Sequence, residues 1–198
     1  MNSTTSTPNP VIFDLIALTK PRVNFLIIFT AIVGMLLAQD FNLNYSLMIY
    51  ASIGIYLAAS AAAVINQIVD QKIDAIMDRT KSRPLIKGNV TSKHAIYFSI
   101  VISLISTYIL YEYVNTITTV LTLFSIIVYS IIYSVYLKNL TSQNIVIGGI
   151  AGAMPPLLGW TAITNGVSDL PLLLFLIIFL WTPCLLYTSP SPRDRTRS

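Results

Sequence analysis

Residues 66 to 78 place an oxygen-bearing side chain at every fourth position. The acid row consists of Asn66, Asp70 and Asp74, and Asp78 continues the same spacing. Because residues four apart lie on one face of a helix, successive members would be about 6 Å apart along its axis. Mg²⁺ accepts carboxylate and amide oxygens and commonly completes its shell with water and substrate phosphates. The spacing therefore indicates a magnesium site on one helix face.

Three cations follow these acids within a few residues: Arg79, Lys81 and Arg83. Arginine binds phosphate through two parallel hydrogen bonds, and lysine meets it as a point charge. An acid row followed by a basic cluster indicates a diphosphate bridged to the protein by a metal. The spacing alone leaves two alternatives open. The segment could be a solvated connector whose cations only set topology, or it could border an ion or proton pathway.

The composition tells what kind of element positions these groups. Apolar residues make up 55% of the 198 residues and charged residues 10%, against about 25% charged in a soluble domain. Six stretches are long and apolar enough to suggest membrane helices, and a backbone in lipid favours helices because it must satisfy its own hydrogen bonds. They cover about 23–39, 46–65, 95–114, 117–137, 145–164 and a segment from about 170. We predict an all-α, polytopic transmembrane helical bundle.

The basic residues are confined to alternate connections. Lys20 and Arg22 precede the first stretch, six cations lie in the 66–94 segment, and Lys138 follows the fourth stretch. The other connections carry acids and no Lys or Arg. Under the positive-inside rule, the amino terminus and the acid row face the cytoplasm. With no signal or transit peptide pattern, this favours a bacterial plasma membrane.

The two ends of the chain differ from its middle. We expect residues 1–17 to be a disordered amino-terminal segment and residues 18–183 to form the membrane domain. The sixth stretch, Leu170–Pro183, is short for a span. It is followed by the polar and basic "CLLYTSPSPRDRTRS". We therefore expect residues 184–198 to be a non-native tail on a truncated chain. Cys184 is the single cysteine, which excludes an internal disulfide and a cysteine metal site.

The segment "IGGIAGAMPPLLGW" combines small residues with two prolines. Small side chains allow close helix packing in membranes, whereas Pro155 and Pro156 should break or kink the helix. The stretch is either a packed, kinked span or a kink that opens a cavity wall. Its glycines are Gly148, Gly149, Gly152 and Gly159.

At this point the sequence resembles a known family. "NQIVDQKIDAIMDRTKSRPL" at 66–85 is similar to the Asn-x-x-x-Asp-x-x-x-Asp and Met-x-Arg-Thr-x-x-Arg-Pro motifs of the intramembrane, UbiA-type prenyltransferases. Three further stretches resemble the branch that farnesylates haem, the protohaem IX farnesyltransferases or haem O synthases. These are "LTKPRVNFL" at 18–26, "NIVIGGIAGAMPPLLGW" at 144–160 and "LWTP" at 180–183.

The resemblance implies a reaction and roles for individual residues. The farnesyl group of farnesyl diphosphate would move to a vinyl group of haem B, which gives haem O. By the family motif, Asn66, Asp70 and Asp74 would hold Mg²⁺, the one implied cofactor. The diphosphate would meet three cations: Arg79, Lys81 and Arg83. Asp78 falls at a variable position of the motif, so a solvated or ion-paired role is expected. Lys20 is interpreted as a topology charge, with a contact to phosphate or to a haem propionate as the alternative.

The resemblance also shows departures and implies partners. The second Asp-rich motif and the last helices of a nine-helix family fold are absent, so the chain as it stands is expected to lack transfer activity. Membrane lipid surrounds such an enzyme, and haem A synthase or cytochrome oxidase assembly factors are candidate partners, with no role for nucleic acid. Two alternative functions stay open: a 4-hydroxybenzoate or quinone-type prenyltransferase, and a membrane transporter.

Overall fold

The computed structural model describes residues 11–38, 44–78, 80–137 and 144–188. Every regular element in these four ranges is a helix, which confirms the predicted all-α fold. The elements are α1 (Val11–Leu18), α2 (Pro21–Leu37), α3 (Tyr45–Val69), α4 (Gln71–Asp74), α5 (Pro84–Lys87), α6 (Ser92–Tyr113), α7 (Thr116–Ile127) with a π-helical continuation (Val128–Leu137), α8 (Asn144–Thr164) and α9 (Asp169–Thr188).

The six apolar stretches predicted from the sequence coincide with α2, α3, α6, α7 plus its continuation, α8 and α9. In the described ranges, three helices have the length and composition to cross a bilayer alone: Tyr45–Val69, Ser92–Tyr113 and Thr116–Ser134. Helices α1 and α2 form a further candidate span that bends by 52° between Leu18 and Pro21, and Asp169–Leu185 is a shorter apolar helix.

Large apolar side chains cover the outer faces of these helices. Such exposure would be unfavourable in water but suits hydrocarbon, where the protein surface meets lipid tails. Together with the helix lengths, it identifies a multi-pass membrane protein. Examples are Phe25, Leu26 and Phe29 on α2, Leu104 and Tyr108 on α6, and Ile177 and Leu180 on α9.

The segment expected to be disordered contains a helix, because α1 begins at Val11. Its carboxyl-terminal Leu18 is fully buried in a small core with Val64 and Leu85. Its Asp14 is buried and accepts a hydrogen bond from the Asn89 side chain at 3.1 Å. These contacts to distant parts of the chain explain why residues 11–17 are ordered. Residues 1–10 lie outside the described range.

Helices α2 and α8 cross at close range because each presents a glycine to the other's backbone. A Cβ added to Gly34 would lie 2.2 Å from the Pro156 carbonyl oxygen, and one added to Gly159 would lie 2.0 Å from the Ala31 carbonyl oxygen. The main core forms beside this crossing and includes Met35. Small residues thus bring these two helices together, as predicted for the "IGGIAGAMPPLLGW" segment.

The break expected at Pro155 and Pro156 does not occur, and the kink stays a prediction. Helix α8 continues through Pro155 and Pro156 without a break, and α9 continues through Pro183 to Thr188. Proline removes one backbone hydrogen bond and crowds the preceding turn. Neighbouring helices in a membrane bundle can compensate for this loss. The sixth stretch is therefore longer than the fourteen residues from Leu170 to Pro183. The domain boundary at 183 stays a prediction, and residues 189–198 lie outside the described range.

Helix α7 changes into a π-helix at Val128. Ten residues follow the wider winding, which is unusual because most π-helical segments are single turns that occur near functional sites. Tyr129 and Tyr133 stack within it, with ring centroids 5.6 Å apart. Ser134 is fully buried there and contacts α3, as described below.

Candidate functional site

The acid row lies on a continuous helical path from α3 into α4. The Asp70 N–H donates to the Asn66 carbonyl at 3.0 Å, and the Asp74 N–H donates to the Asp70 carbonyl at 2.8 Å. These two bonds join residues four apart, so the predicted common face for the acid row exists. All three side chains are buried. Oxygen donors buried along one face can act on a ligand only from inside the bundle or its mouth.

Two segments from elsewhere in the chain hold the side chain of Asn66. The Lys20 ammonium donates to the Asn66 amide oxygen at 3.3 Å, and the Asn66 amide nitrogen donates to Ser134 Oγ at 3.0 Å. The first contact reaches α3 from the α1–α2 junction, and the second reaches it from the π-helical continuation. Asn66 is therefore fixed in orientation, with its oxygen toward a cation.

Arg83 supplies the cation at the other end of the acid row. Its guanidinium forms a salt bridge with the buried Asp74 carboxylate. The loop between them is tied down by Thr80, whose hydroxyl donates to the Asp74 carbonyl at 2.8 Å. Arg83 is extended immediately before Pro84, the first residue of α5. That conformation is the one favoured before proline. The sequence thus positions the arginine, which gives the buried Asp74 carboxylate a partner of opposite charge.

The remaining charged residues of the motif do not join the row. Helix α4 ends at Asp74, so the predicted continuation of the face to Asp78 is wrong. Asp78 is almost fully exposed and forms a 2.7 Å ion pair with Lys81, which confirms its expected ion-paired role. Lys81 therefore lies on the solvent side of the loop, and its role toward a diphosphate stays a prediction. Arg79 lies outside the described residues.

Lys20 is a site residue that the sequence interpretation underrated, because it favoured a topology charge over a phosphate or propionate contact. It has a left-handed backbone conformation, with φ 53° and ψ 61°, between α1 and α2. A residue other than glycine adopts this conformation at a cost of about 1–3 kcal/mol, and such strain is concentrated at functional sites. The Lys-Pro pair at 20–21 was the available signal, because a residue before proline avoids the helical conformation. The side chain thereby turns from the helix start toward Asn66.

A cavity of about 350 Å³ extends from this polar end into the bundle. This volume is at the lower end of the range for ligand sites. Its walls come from α2, α3, α7 and α8 and are mostly small or branched apolar side chains. Along α3 the lining runs from Ala63 to Ile55, a rise of about 12 Å. The cavity can therefore hold a long hydrocarbon chain.

Polar groups are concentrated at the Lys20 end of the cavity. Lys20, Asn24 and Tyr129 line it there. The Asn24 side chain is held by hydrogen bonds that it donates to the Thr19 carbonyl at 2.9 Å and to Ser60 Oγ at 2.8 Å. Tyr129 is close enough to Asp70 for an electrostatic interaction. A ligand with a charged head and an apolar tail fits this arrangement, with its head beside the acid row.

The donor set limits which metal the site can take. Within the described ranges, no three His, Cys, Asp or Glu side chains are grouped closely enough to hold a metal by themselves. A site with two carboxylates and an amide oxygen suits Mg²⁺, which binds through few protein ligands and takes phosphate oxygens for the rest. The residues present therefore fit Mg²⁺ carried on a phosphate ligand.

Comparison with known proteins gives one matching family and several similar proteins. Residues 27–196 match the UbiA prenyltransferase family. The chain is 51% identical over 170 residues to a protoheme IX farnesyltransferase of Hahella chejuensis, 52% identical over 172 residues to one of Alcanivorax borkumensis, and 52% identical over 166 residues to one of Colwellia psychrerythraea. No solved structure matches the chain.

The alignments cover a larger share of this chain than of the three relatives. They include 86%, 86% and 84% of this chain but 57%, 57% and 54% of the three relatives. The chain thus spans a little over half the length of the curated relatives it matches. Since the family match covers most of its residues, the chain belongs to the UbiA prenyltransferase family.

Proposed function

We propose that this chain is part of a prenyltransferase that moves the farnesyl group of farnesyl diphosphate to a vinyl group of haem B, which gives haem O. The observation that carries the proposal is the position of the acid row. Its Asn66 accepts a hydrogen bond from Lys20, and Lys20 lines the polar end of an apolar cavity. The names of the three relatives supply the acceptor, protoheme IX, and the farnesyl donor.

The polar end would receive the diphosphate together with Mg²⁺. Asn66, Asp70 and Asp74 would hold the metal, which would offset the negative charge of the leaving diphosphate. Lys20 adds a positive charge at the cavity mouth. Arg83 is within reach of the row because it already pairs with Asp74. A guanidinium that leaves a carboxylate for a phosphate keeps the same bidentate bonding.

The apolar part would hold the farnesyl chain and exclude water. When the bond between the allylic carbon and the diphosphate oxygen breaks, both electrons stay on the oxygen. The allylic carbon then bonds to one vinyl carbon of the porphyrin. Water adds to the other vinyl carbon and releases a proton, which completes a hydroxyethylfarnesyl side chain. Aliphatic walls such as Ala58 and Ala62 carry no nucleophile, and the exclusion of water would lengthen the lifetime of the allylic cation.

The membrane setting is part of the proposal. The site cations Lys20 and Arg83 lie at one end of the bundle, beside the basic 66–94 segment. The positive-inside rule places that end in the cytoplasm. We infer a bacterial plasma membrane with the amino terminus on the cytoplasmic side. The diphosphate group would then face the aqueous cytoplasm, and the farnesyl chain would lie inside the helical bundle.

The acid row is tested by binding. The chain is placed in lipid nanodiscs, and Mg²⁺-dependent binding of radiolabelled farnesyl diphosphate is measured. Asp70→Asn and Asp74→Asn remove one carboxylate each and should reduce this binding at least about tenfold, as expected for loss of a charge-assisted contact. Asp78→Asn is the matched control because it changes an exposed acid outside the row. Equal binding by all three variants would overturn the site.

The acceptor needs a separate test. Residues 1–183 are joined to the carboxyl-terminal part of the Hahella chejuensis relative and incubated with haem B, farnesyl diphosphate and Mg²⁺. Mass spectrometry should show haem O, and Asp70→Asn should remove it. If the chimera binds farnesyl diphosphate but transfers the farnesyl group to 4-hydroxybenzoate in place of haem B, the haem assignment is refuted. The role proposed for the acid row would still stand.

A further inference from the structure

Gly152 occupies a different environment from the other glycines of α8. A Cβ built on Gly152 meets no atom within 4 Å. The same residue lines the cavity. Gly148 and Leu158 line the two ends of the cavity. Along α8, Gly152 lies about 6 Å after Gly148 and about 9 Å before Leu158. The open space beside Gly152 is therefore the middle of the cavity.

The neighbouring glycines show that this openness is specific. A Cβ on Gly148 would lie 2.7 Å from the Tyr133 ring, and one on Gly149 would lie 3.5 Å from Thr182. One on Gly159 would collide with the α2 backbone. Helix packing accounts for Gly148 and Gly159, which have no room for a methyl group. It does not account for Gly152, where a larger side chain would meet only cavity.

The part of the cavity beyond Gly152 has a further sign of a ligand site. Thr122 lines it, is 3% exposed, and its hydroxyl has no hydrogen-bond partner in the part of the chain that the structure describes. Buried hydroxyls are nearly always bonded, and one that is not calls for a water or ligand. The compartment between Gly152 and Ile55 is thus a space that protein side chains leave unfilled.

We infer that Gly152 determines the length of the prenyl chain that the cavity accepts. The absence of a side chain keeps the inner compartment connected to the polar end, so the hydrocarbon beyond the first units of the prenyl chain can pass Gly152 toward Thr122. A larger residue at this position would divide the cavity at mid-depth. This inference rests on the proposed function, because it takes the cavity's ligand to be an allylic diphosphate anchored at the acid row.

The experiment compares three ligands on four proteins. Wild type, Gly152→Ala, Gly152→Leu and Gly149→Ala are prepared in nanodiscs from the 198-residue chain. Binding of geranyl, farnesyl and geranylgeranyl diphosphate, which differ by one five-carbon unit each, is measured with Mg²⁺ and without any acceptor. Gly149→Ala is the matched control, since it adds a methyl group to the same helix outside the cavity. Thermal unfolding of each variant confirms that it is folded.

Gly152→Leu should lower the affinity for farnesyl and geranylgeranyl diphosphate at least about tenfold, since each buried methylene is worth roughly fourfold in affinity. Its affinity for geranyl diphosphate should change by less than about threefold, with Gly152→Ala intermediate and Gly149→Ala unchanged. If Gly152→Leu binds all three ligands like wild type, the length assignment is wrong while the acid row stands. If no allylic diphosphate binds any variant, the proposed function fails and the inference fails with it.

Discussion

The close crossing of α2 and α8 predicts opposite effects for the same substitution at two positions of one helix. Gly159→Ala would place a Cβ 2.0 Å from the Ala31 carbonyl oxygen, whereas real Cβ contacts are essentially never under 3.0 Å. The helices must therefore separate by at least 1 Å at the crossing. The reciprocal contact of Gly34 with Pro156, at 2.2 Å, prevents a simple slide. Gly152→Ala meets no atom within 4 Å.

The magnitudes follow from two terms of opposite sign. Overfilling a packed site destabilises by about 1–3 kcal/mol, and backbone atoms on both sides put Gly159 at the upper end. Replacing glycine by alanine in a helix stabilises by about 1 kcal/mol. The net effect is a loss of about 2 kcal/mol for Gly159→Ala and a gain of up to about 1 kcal/mol for Gly152→Ala. For a chain of this size, each kcal/mol moves Tm by about 2–4 °C.

Thermal unfolding in one detergent and lipid mixture, followed by circular dichroism at the helix band, measures both variants. Gly159→Ala should melt about 4–8 °C below wild type and Gly152→Ala at or slightly above it. Gly149→Ala, which makes an ordinary 3.5 Å contact with Thr182, should lie close to wild type. If Gly159→Ala and Gly152→Ala melt together, the backbone contact between α2 and α8 is not as described.

Two further pairs of substitutions test buried polar groups. Thr122→Val removes a hydroxyl that has no partner in the described structure, so Tm should stay unchanged or rise. Thr118→Val removes the 3.0 Å hydrogen bond to Thr161 and should cost about 1 kcal/mol. Equal melting temperatures for the two variants would contradict this difference. Arg83→Gln leaves the Asp74 carboxylate buried without its cation and should destabilise by about 1–3 kcal/mol, less than a fully buried pair because Arg83 is 28% exposed. Adding Asp74→Asn should recover most of that loss, and additive losses in the double variant would rule out the pair.

The positions of the long helices were predictable from the sequence because hydropathy acts on whole segments. An apolar stretch of about 20 residues is most stable in lipid as a membrane-spanning helix, because the helix satisfies its own backbone hydrogen bonds. The acid row was predictable for a related reason. Residues spaced by four lie on the same face of a helix, and the backbone hydrogen bonds from Asn66 to Asp74 maintain that helix. Where the helix ends, at Asp74, the same rule failed for Asp78.

Features that depend on contacts between distant segments were not predictable. The helix at Val11–Leu18 forms against α3 and α5, and nothing within "MNSTTSTPNP" or the residues after it indicates those partners. Lys20 was interpreted as a topology charge because its role depends on Asn66, 46 residues away. The α8 glycines look alike in the sequence. Their surroundings separate Gly159, which packs on backbone, from Gly152, which faces a cavity.

The charges around the acid row show how the site can stay stable before a ligand arrives. Two buried carboxylates, Asp70 and Asp74, would be unfavourable by themselves in a membrane protein. The structure places two cations beside the row, with Arg83 on Asp74 and Lys20 on Asn66. On the proposed function, Mg²⁺ and a diphosphate enter together and bring both signs of charge. Asp74 can then exchange Arg83 for the metal, and Arg83 and Lys20 can exchange protein oxygens for phosphate oxygens. Asp74, Arg83 and Lys20 each keep a partner throughout, so binding at these residues requires a change of partners at the mouth of the cavity and no new unpaired buried charge.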